Sequence, residues 1–265
     1  MGARALFYGS IIHNALEMHY QGKSMEEILD YIYTVCKEDD TWIHATAMML
    51  GYMETYREEP WEVVSLEEEF QVPIINPETG HQSTTYELRG KVDGLVRHPD
   101  GSYSLLEHKT TSFDMGTFVQ TLWTDFQTRL YQERYGAFKD IEIKSVIFNI
   151  LRKNNKRRYK RDGGETDEQF LSRLRECHSG PEMYHREELY FDPVLTAEIG
   201  EQVWDLKDNI QLCARKDRWY KNESTCRQYG RMCDYYALCS SADSPFVLDD
   251  LYETKRAHSE LSMPF

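Results

Sequence analysis

A chain of 265 residues, 40% hydrophobic and 29% charged, has the composition of an ordinary globular protein with length to spare for a buried core. No apolar run approaches the roughly 20 residues of a membrane span, and no basic, apolar, small-residue leader opens the chain, so a cytoplasmic protein is expected. The formal charge, 31 − 45 = −14, argues against a general nucleic-acid binder, although a local basic patch or a bound metal overcomes such a balance.

Three helices are expected first. Ser10 is placed to cap a helix over residues 11–20 that Gly22 ends, with His13 on the same face as Leu16, Glu17 and Tyr20. A lone histidine on such a face ordinarily packs in a core. Ser24-x-x-Glu27 is a capping box for a second helix to about residue 37, with Cys36 buried near its end. A third helix, residues 41–57, carries Trp42, Ala45, Met49, Tyr52 and Tyr56 as a core stripe, and Pro60 closes the helical region.

The period then changes from helical to alternating. Residues 63–75 read as a strand with Glu67 and Glu69 on one face, followed by a turn at 76–80. Residues 86–96 and 103–109 form a hairpin around His98-Pro99-Asp100-Gly101, where Pro and Gly favour a turn. Side chains two apart on a strand point the same way, so Glu107 and Lys109 share a face. If Arg97 pairs with Tyr103, Asp93 falls opposite Glu107; if it pairs with Ser102, Glu107 turns away unless a bulge restores the geometry. In the first register two carboxylates and an ammonium gather at one end of the hairpin. Oxygen donors of this kind suit Mg²⁺ or Mn²⁺, and the lysine suits a phosphate or a nucleophilic water.

Residues 118–135 read as one amphipathic helix ended by Gly136, with Trp123, Gln127, Tyr131 and Tyr135 on a single stripe. Gln127 is the anomaly, because a buried amide there needs hydrogen-bond partners. A β-branched strand over residues 141–151 runs into the segment 152–161, where seven of ten residues are basic. Such a run reads as a solvated face or as a ribbon contacting a phosphate backbone. Asp162-Gly163-Gly164 turns the chain, Thr166-x-x-Gln169 caps a helix, residues 189–191 form a short strand, and Pro193 leads a long helix to about residue 220. Cys226, Cys233 and Cys239 then fall within 14 residues, with Tyr229 and Gly230 between the first two, a spacing that suits an iron–sulfur cluster or zinc. The remaining tail is polar and without pattern.

Taken together, these parts resemble the PD-(D/E)XK nuclease superfamily, specifically its RecB-like branch of phage-type and CRISPR-adaptation-type exonucleases. Gly9-x-x-x-His13 with Leu16-Glu17 resembles the branch's helical histidine motif. Gly90-x-x-Asp93 and Glu107-His108-Lys109 resemble its acidic and (D/E)xK motifs, and Gln127-x-x-x-Tyr131 its helical QxxxY motif. The resemblance implies an α/β fold, a restriction-endonuclease-like core with a central mixed β-sheet flanked by helices. It implies a single nuclease domain over residues 1–265, with residues 222–241 as a cysteine patch. It further implies a metal-dependent exonuclease acting on single-stranded DNA or duplex ends, in phage recombination, repair or CRISPR adaptation, with a partner protein from one of those systems. His13, Asp93, Glu107 and the backbone carbonyl of His108 would ligate Mg²⁺ or Mn²⁺, Lys109 would position or activate water, and Gln127 and Tyr131 would support the site and the DNA. Cys226, Cys233 and Cys239 would hold a [4Fe-4S] cluster. One departure stands out: related clusters take their first cysteine from a segment before the histidine helix, so here the fourth ligand is unassigned, with Cys177 and Cys213 as substitutes. The rival readings are a structure-specific endonuclease on the same site and a non-catalytic DNA-binding module with a relic site.

Overall fold

The Ser24 capping box forms as its spacing requires. Ser24 Oγ accepts from the Glu27 N–H, and the Glu27 carboxylate returns to the Ser24 N–H at 2.8 Å. It opens helix α2, Met25–Cys36, between α1, Gly2–Tyr20, and α3, Thr41–Thr55, in a computed structural model that describes residues 2–160, 163–228, 231–241 and 251–253. The first helix starts well before Ser10, whose hydroxyl therefore caps nothing and donates to the Leu6 carbonyl one turn back at 3.1 Å. The three helices close on one another through Ile11, Ile12 and Leu16, Ile28 and Ile32, and Met48, Met49 and Tyr52. Fully burying each of these large apolar side chains is worth about 1.5–3 kcal/mol.

Five strands form one mixed sheet in chain order: β1, Glu62–Ile75; β2, Gln82–Arg97; β3, Tyr103–Thr111; β4, Ile143–Arg152; and β5, Tyr184–Leu189. Neighbours are antiparallel except β3 and β4, which run parallel. Parallel neighbours need a long crossover, and two helices supply it: α4, Met115–Leu122, and α5, Phe126–Lys139. This corrects the single helix expected over residues 118–135. Asp125 divides it by accepting from both the N–H and the hydroxyl of Thr128, which starts a new helix after Trp123. Gly136 lies inside α5 because a Cβ there would come within 3.0 Å of the Ile141 carbonyl, and the helix ends instead at Asp140 with φ 55°.

The sheet has helices on both sides. Val96, Leu106 and Ile147 face Tyr20 and Trp61 on one side. Leu95, Leu105, Val146, Phe148 and Ile150 cluster with Leu122 and Tyr135 on the other. The fold is thus the expected α/β arrangement of a mixed sheet flanked by helices. Helix α6, Asp167–His178, begins at the Thr166 capping box, and α7 covers Pro193–Lys216, short of residue 220 because Asp217 turns left-handed with φ 47°. The fifth strand precedes the expected 189–191 segment. Short strands β6, Arg227–Gln228, and β7, Arg231–Met232, and helix α8, Tyr236–Ser240, follow. Among the described residues no helix is long and apolar enough to cross a membrane.

Candidate active site

Arg97 lies opposite Tyr103 and Gly94 opposite Leu106, the register that sets Asp93 against Glu107. The β2–β3 ladder stops at that last pair. Beyond it Asp93 replaces the backbone partner with its side chain, Oδ2 accepting the His108 N–H at 2.7 Å. Helix α1 brings His13 Nδ1 to 3.6 Å from the same oxygen. On β3, Lys109 Nζ is 2.8 Å from Glu107 Oε1 and 3.8 Å from Asp125 Oδ2. Asp93, Glu107, Lys109 and His13 therefore meet where the sheet parts.

The two carboxylates sit in opposed environments. Burial works against ionisation of Asp93, but the His13 imidazole and the His108 N–H outweigh it and hold the carboxyl at about 2. Burial pushes Glu107 up to about 7, the charge of Asp93 adds to this, and Lys109 opposes it. Burial likewise lowers Lys109, yet Glu107 and then Asp125 hold its ammonium above the ordinary lysine value. His13 is raised because Asp93, Glu107 and Glu67 together overcome its own burial. His108 itself is 2% exposed, and burial drives its imidazole down to about 3, so it is neutral.

Around these four side chains, His108, Gln127 and Tyr131 take distinct places. The His108 imidazole turns into the protein, accepting from Asn149 Nδ2 at 2.9 Å, so only its backbone faces Asp93. Gln127 is exposed, not buried, and donates to the Tyr131 hydroxyl at 3.1 Å. Trp123 caps the end of α4 and is 52% exposed, outside any core stripe. Tyr131 reaches β2 at Gly90, where its ring and that of Phe70 leave no room for a Cβ: the clearances are 2.8 and 2.6 Å. Glu67 takes a left-handed backbone, φ 49°, and pairs with Lys91 at 2.5 Å. Asp125 is a site residue that sequence reasoning missed, although its D-x-x-T spacing is a helix-cap signal.

Among the described residues no three His, Cys, Asp or Glu side chains lie close enough to hold a metal ion. Cys226, Cys233 and Cys239 are therefore not gathered into such a group. The first two are half-buried and joined through their backbones, Cys233 N–H to Cys226 carbonyl at 2.8 Å, while Cys239 sits exposed on α8; Cys177 and Cys213 are also free thiols. The intervening Tyr229 and Gly230, and most of the polar tail, lie outside the described residues. The same finding means that His13, Asp93 and Glu107 form no closed cage as they stand, because Lys109 occupies Glu107 and the His108 N–H occupies Asp93. In kind, however, the donors fit a hard divalent cation. Burial first and the charge of Asp93 second raise Glu107, and a bound dication offsets both.

The basic run is described as far as Lys160, with Arg161 outside the described residues. It starts beside the site, Lys153 N–H donating to the Thr111 carbonyl at 2.6 Å. It then runs, without helix or strand, past the start of α3. Arg158 pairs with Asp40 and Asp167 at 2.7 Å each and donates to the Glu165 carbonyl at 2.9 Å. Lys153, Lys156, Arg157, Arg158 and Lys160 line a cavity of about 460 Å³, with Asp40 as the opposing carboxylate.

The model of the PD-(D/E)XK nuclease superfamily matches residues 2–240. The chain belongs to the PD-(D/E)XK nuclease superfamily. Members of this superfamily usually use divalent metals such as Mg²⁺, and nuclease activity on DNA is the activity class that membership carries. No curated protein matches the chain. Among solved structures, the crystal structure of SSO0001 is similar at 14% identity and a TM-score of 0.34, covering 75% of this chain and 74% of that one.

Proposed function

We propose that this PD-(D/E)XK nuclease is a metal-dependent DNA exonuclease acting on single strands or duplex ends. The observation that supports it most directly is the meeting of Asp93, Glu107 and Lys109 on one side of the parted β2–β3 ladder, with His13 against Asp93. His13, Asp93, Glu107 and the His108 carbonyl would hold the divalent ion. Bound there, it supplies a Lewis acid for the scissile phosphate. Asp93 stays ionised at any physiological pH and fixes one side of the site. Lys109 stays charged, so it acts as a donor and not as a base: its ammonium orients the attacking water or stabilises charge on the phosphate oxygens. His13 reaches Asp93 from α1, and Gln127 and Tyr131, hydrogen-bonded to each other on α5, would support the site and the DNA. The basic cavity beside Thr111 gives the DNA backbone a landing surface in a protein of charge −14.

End-labelled linear DNA and a circle of the same sequence, incubated with Mg²⁺, Mn²⁺ or EDTA, test the proposal. The linear DNA is degraded with metal, the circle is spared, and Asp93→Ala is inactive. Equal cleavage of the circle makes the protein an endonuclease, and undiminished cleavage in EDTA removes the metal-dependent reading altogether.

A further inference from the structure

A row of polar side chains crosses the sheet behind the carboxylates. His108 on β3, Asn149 on β4 and Arg186 on β5 are successive register partners, so their side chains stand side by side on the face toward α1 and α3. Asn149, fully buried, donates to His108 Nδ1 and to the Tyr52 hydroxyl at 2.9 Å each. Its Oδ1 lies 3.4 Å from Arg186 Nε. The Arg186 guanidinium grips both Glu59 oxygens at 2.5 and 2.7 Å, donates to Tyr20 and Tyr52, and lies 3.6 Å over the Tyr56 ring. Tyr20 in turn stacks on the His108 ring at 5.6 Å.

Burying an amide, a guanidinium and a carboxylate is costly, and apolar side chains of similar volume ordinarily serve stability as well or better. The same sheet face uses them one step along, at Val96, Leu106 and Ile147. The polar row does something that those residues cannot: it fixes the His108 imidazole at its edge and over its ring. His108 is the residue between Glu107 and Lys109, and its N–H is the one that Asp93 accepts. Fixing its side chain fixes the twist of that peptide.

We propose that Asn149 and Arg186, with Glu59 as counter-ion, are positioning residues of the nuclease site, holding His108 from the helix side of the sheet so that its peptide keeps Asp93, Glu107 and Lys109 in one arrangement. This rests on the reading of those three residues as the active site. Asn149→Leu keeps the volume and removes every hydrogen bond, whereas Asn149→Asp still accepts from Arg186 and from the other His108 tautomer. For each variant, kcat and KM are measured on linear DNA with Mn²⁺, DNA affinity by fluorescence anisotropy in EDTA, and Mn²⁺ affinity by calorimetry. Asn149→Leu is expected to lose about 10- to 100-fold in kcat and about 10-fold in Mn²⁺ affinity, the range found when an outer partner of a metal ligand is removed. Its KM and its DNA affinity in EDTA stay unchanged, and Asn149→Asp recovers most of the loss. If the leucine variant does not fold by circular dichroism, Arg186→Lys carries the test, since it keeps a charge opposite Glu59 but loses the fork to the tyrosines. A folded Asn149→Leu with wild-type kcat and Mn²⁺ affinity overturns the proposal, as does equal impairment of both Asn149 variants. Wild-type protein that cleaves nothing instead sinks the nuclease reading, and the Mn²⁺ affinities alone then decide this one.

Discussion

Glu107→Gln separates what the site costs the fold from what it gives to chemistry. The Glu107 side chain is 13% exposed, and burial beside Asp93 lifts its carboxyl from 4.5 to about 7. Well below pH 4.5 the group is protonated in both folded and unfolded chains and has no effect on stability. Between 4.5 and about 7 the unfolded chain releases a proton that the folded chain retains, so stability falls as pH rises; above that interval the penalty is constant. At about 1.36 kcal/mol per pH unit the full penalty is about 3 kcal/mol, and the attraction of Lys109 is already within it because that ammonium holds the carboxyl below where burial alone would put it. Glutamine keeps the shape and an acceptor for Lys109 without the charge. Urea denaturation of wild type and Glu107→Gln in EDTA should give matching stabilities at pH 4, with the variant ahead by about 3 kcal/mol at pH 8. At roughly 2–4 °C per kcal/mol, the melting temperature at pH 8 should rise by about 6–12 °C. Excess Mg²⁺ or Mn²⁺ at pH 8 should narrow the gap, since an ion at 100 times its Kd stabilises the wild type by about 2.7 kcal/mol. A difference that does not change with pH, or a wild type more stable than the variant at pH 8, refutes the electrostatic reasoning.

Asp93→Ala, Glu107→Ala and Lys109→Ala should each abolish metal-dependent DNA cleavage in a gel assay while leaving a folded protein by circular dichroism; cleavage by all three would remove the site from consideration. Gly90→Ala should destabilise the protein by about 1–3 kcal/mol in urea denaturation, the ordinary cost of overpacking, because the new methyl overlaps Phe70 and Tyr131. Arg157→Gln with Lys160→Gln should weaken DNA binding by a similar factor for every sequence. The log–log salt slope should flatten by about 0.7–0.9 for each phosphate that the protein no longer neutralises, and an unchanged slope would return these residues to the solvated surface.

The geometry of the candidate site was legible because it is written in local spacing. Glu-x-Lys on a strand shares a face, the Pro-Asp-Gly turn fixes the hairpin, and the Arg97–Tyr103 register carries Asp93 to Glu107. The helix break at Asp125 was hidden by an apolar stripe that continues across it, even though the D-x-x-T cap was there to be read. The ion pairs of the basic run were not legible, because its charge is local while its partners are not: Asp40 lies 118 residues from Arg158 in the chain. The row from His108 to Arg186 was out of reach for the same reason, since only the strand order β3-β4-β5 brings those three residues together.

The parting of the sheet is what turns a hairpin into a site. Before Gly94, β2 pairs only with β1, and after Leu106, β3 pairs only with β4. Strands that stop pairing leave backbone groups and a gap to be filled. Asp93 satisfies one such group, the His108 N–H, with its own carboxylate. On the α5 side, Tyr131 meets the Phe70 ring edge-on at 5.2 Å, and the Tyr135 hydroxyl lies 3.1 Å from Ser65 Oγ and 2.5 Å from Glu68. Both rings close against β1 at Phe70, Tyr131 also meets β2 at Gly90, and only a residue without a side chain admits it there. The glycine and the tyrosine four residues after Gln127 are therefore halves of one packing contact on the β1–β2 pair, and the acid three residues after the glycine lies where β2 leaves β3.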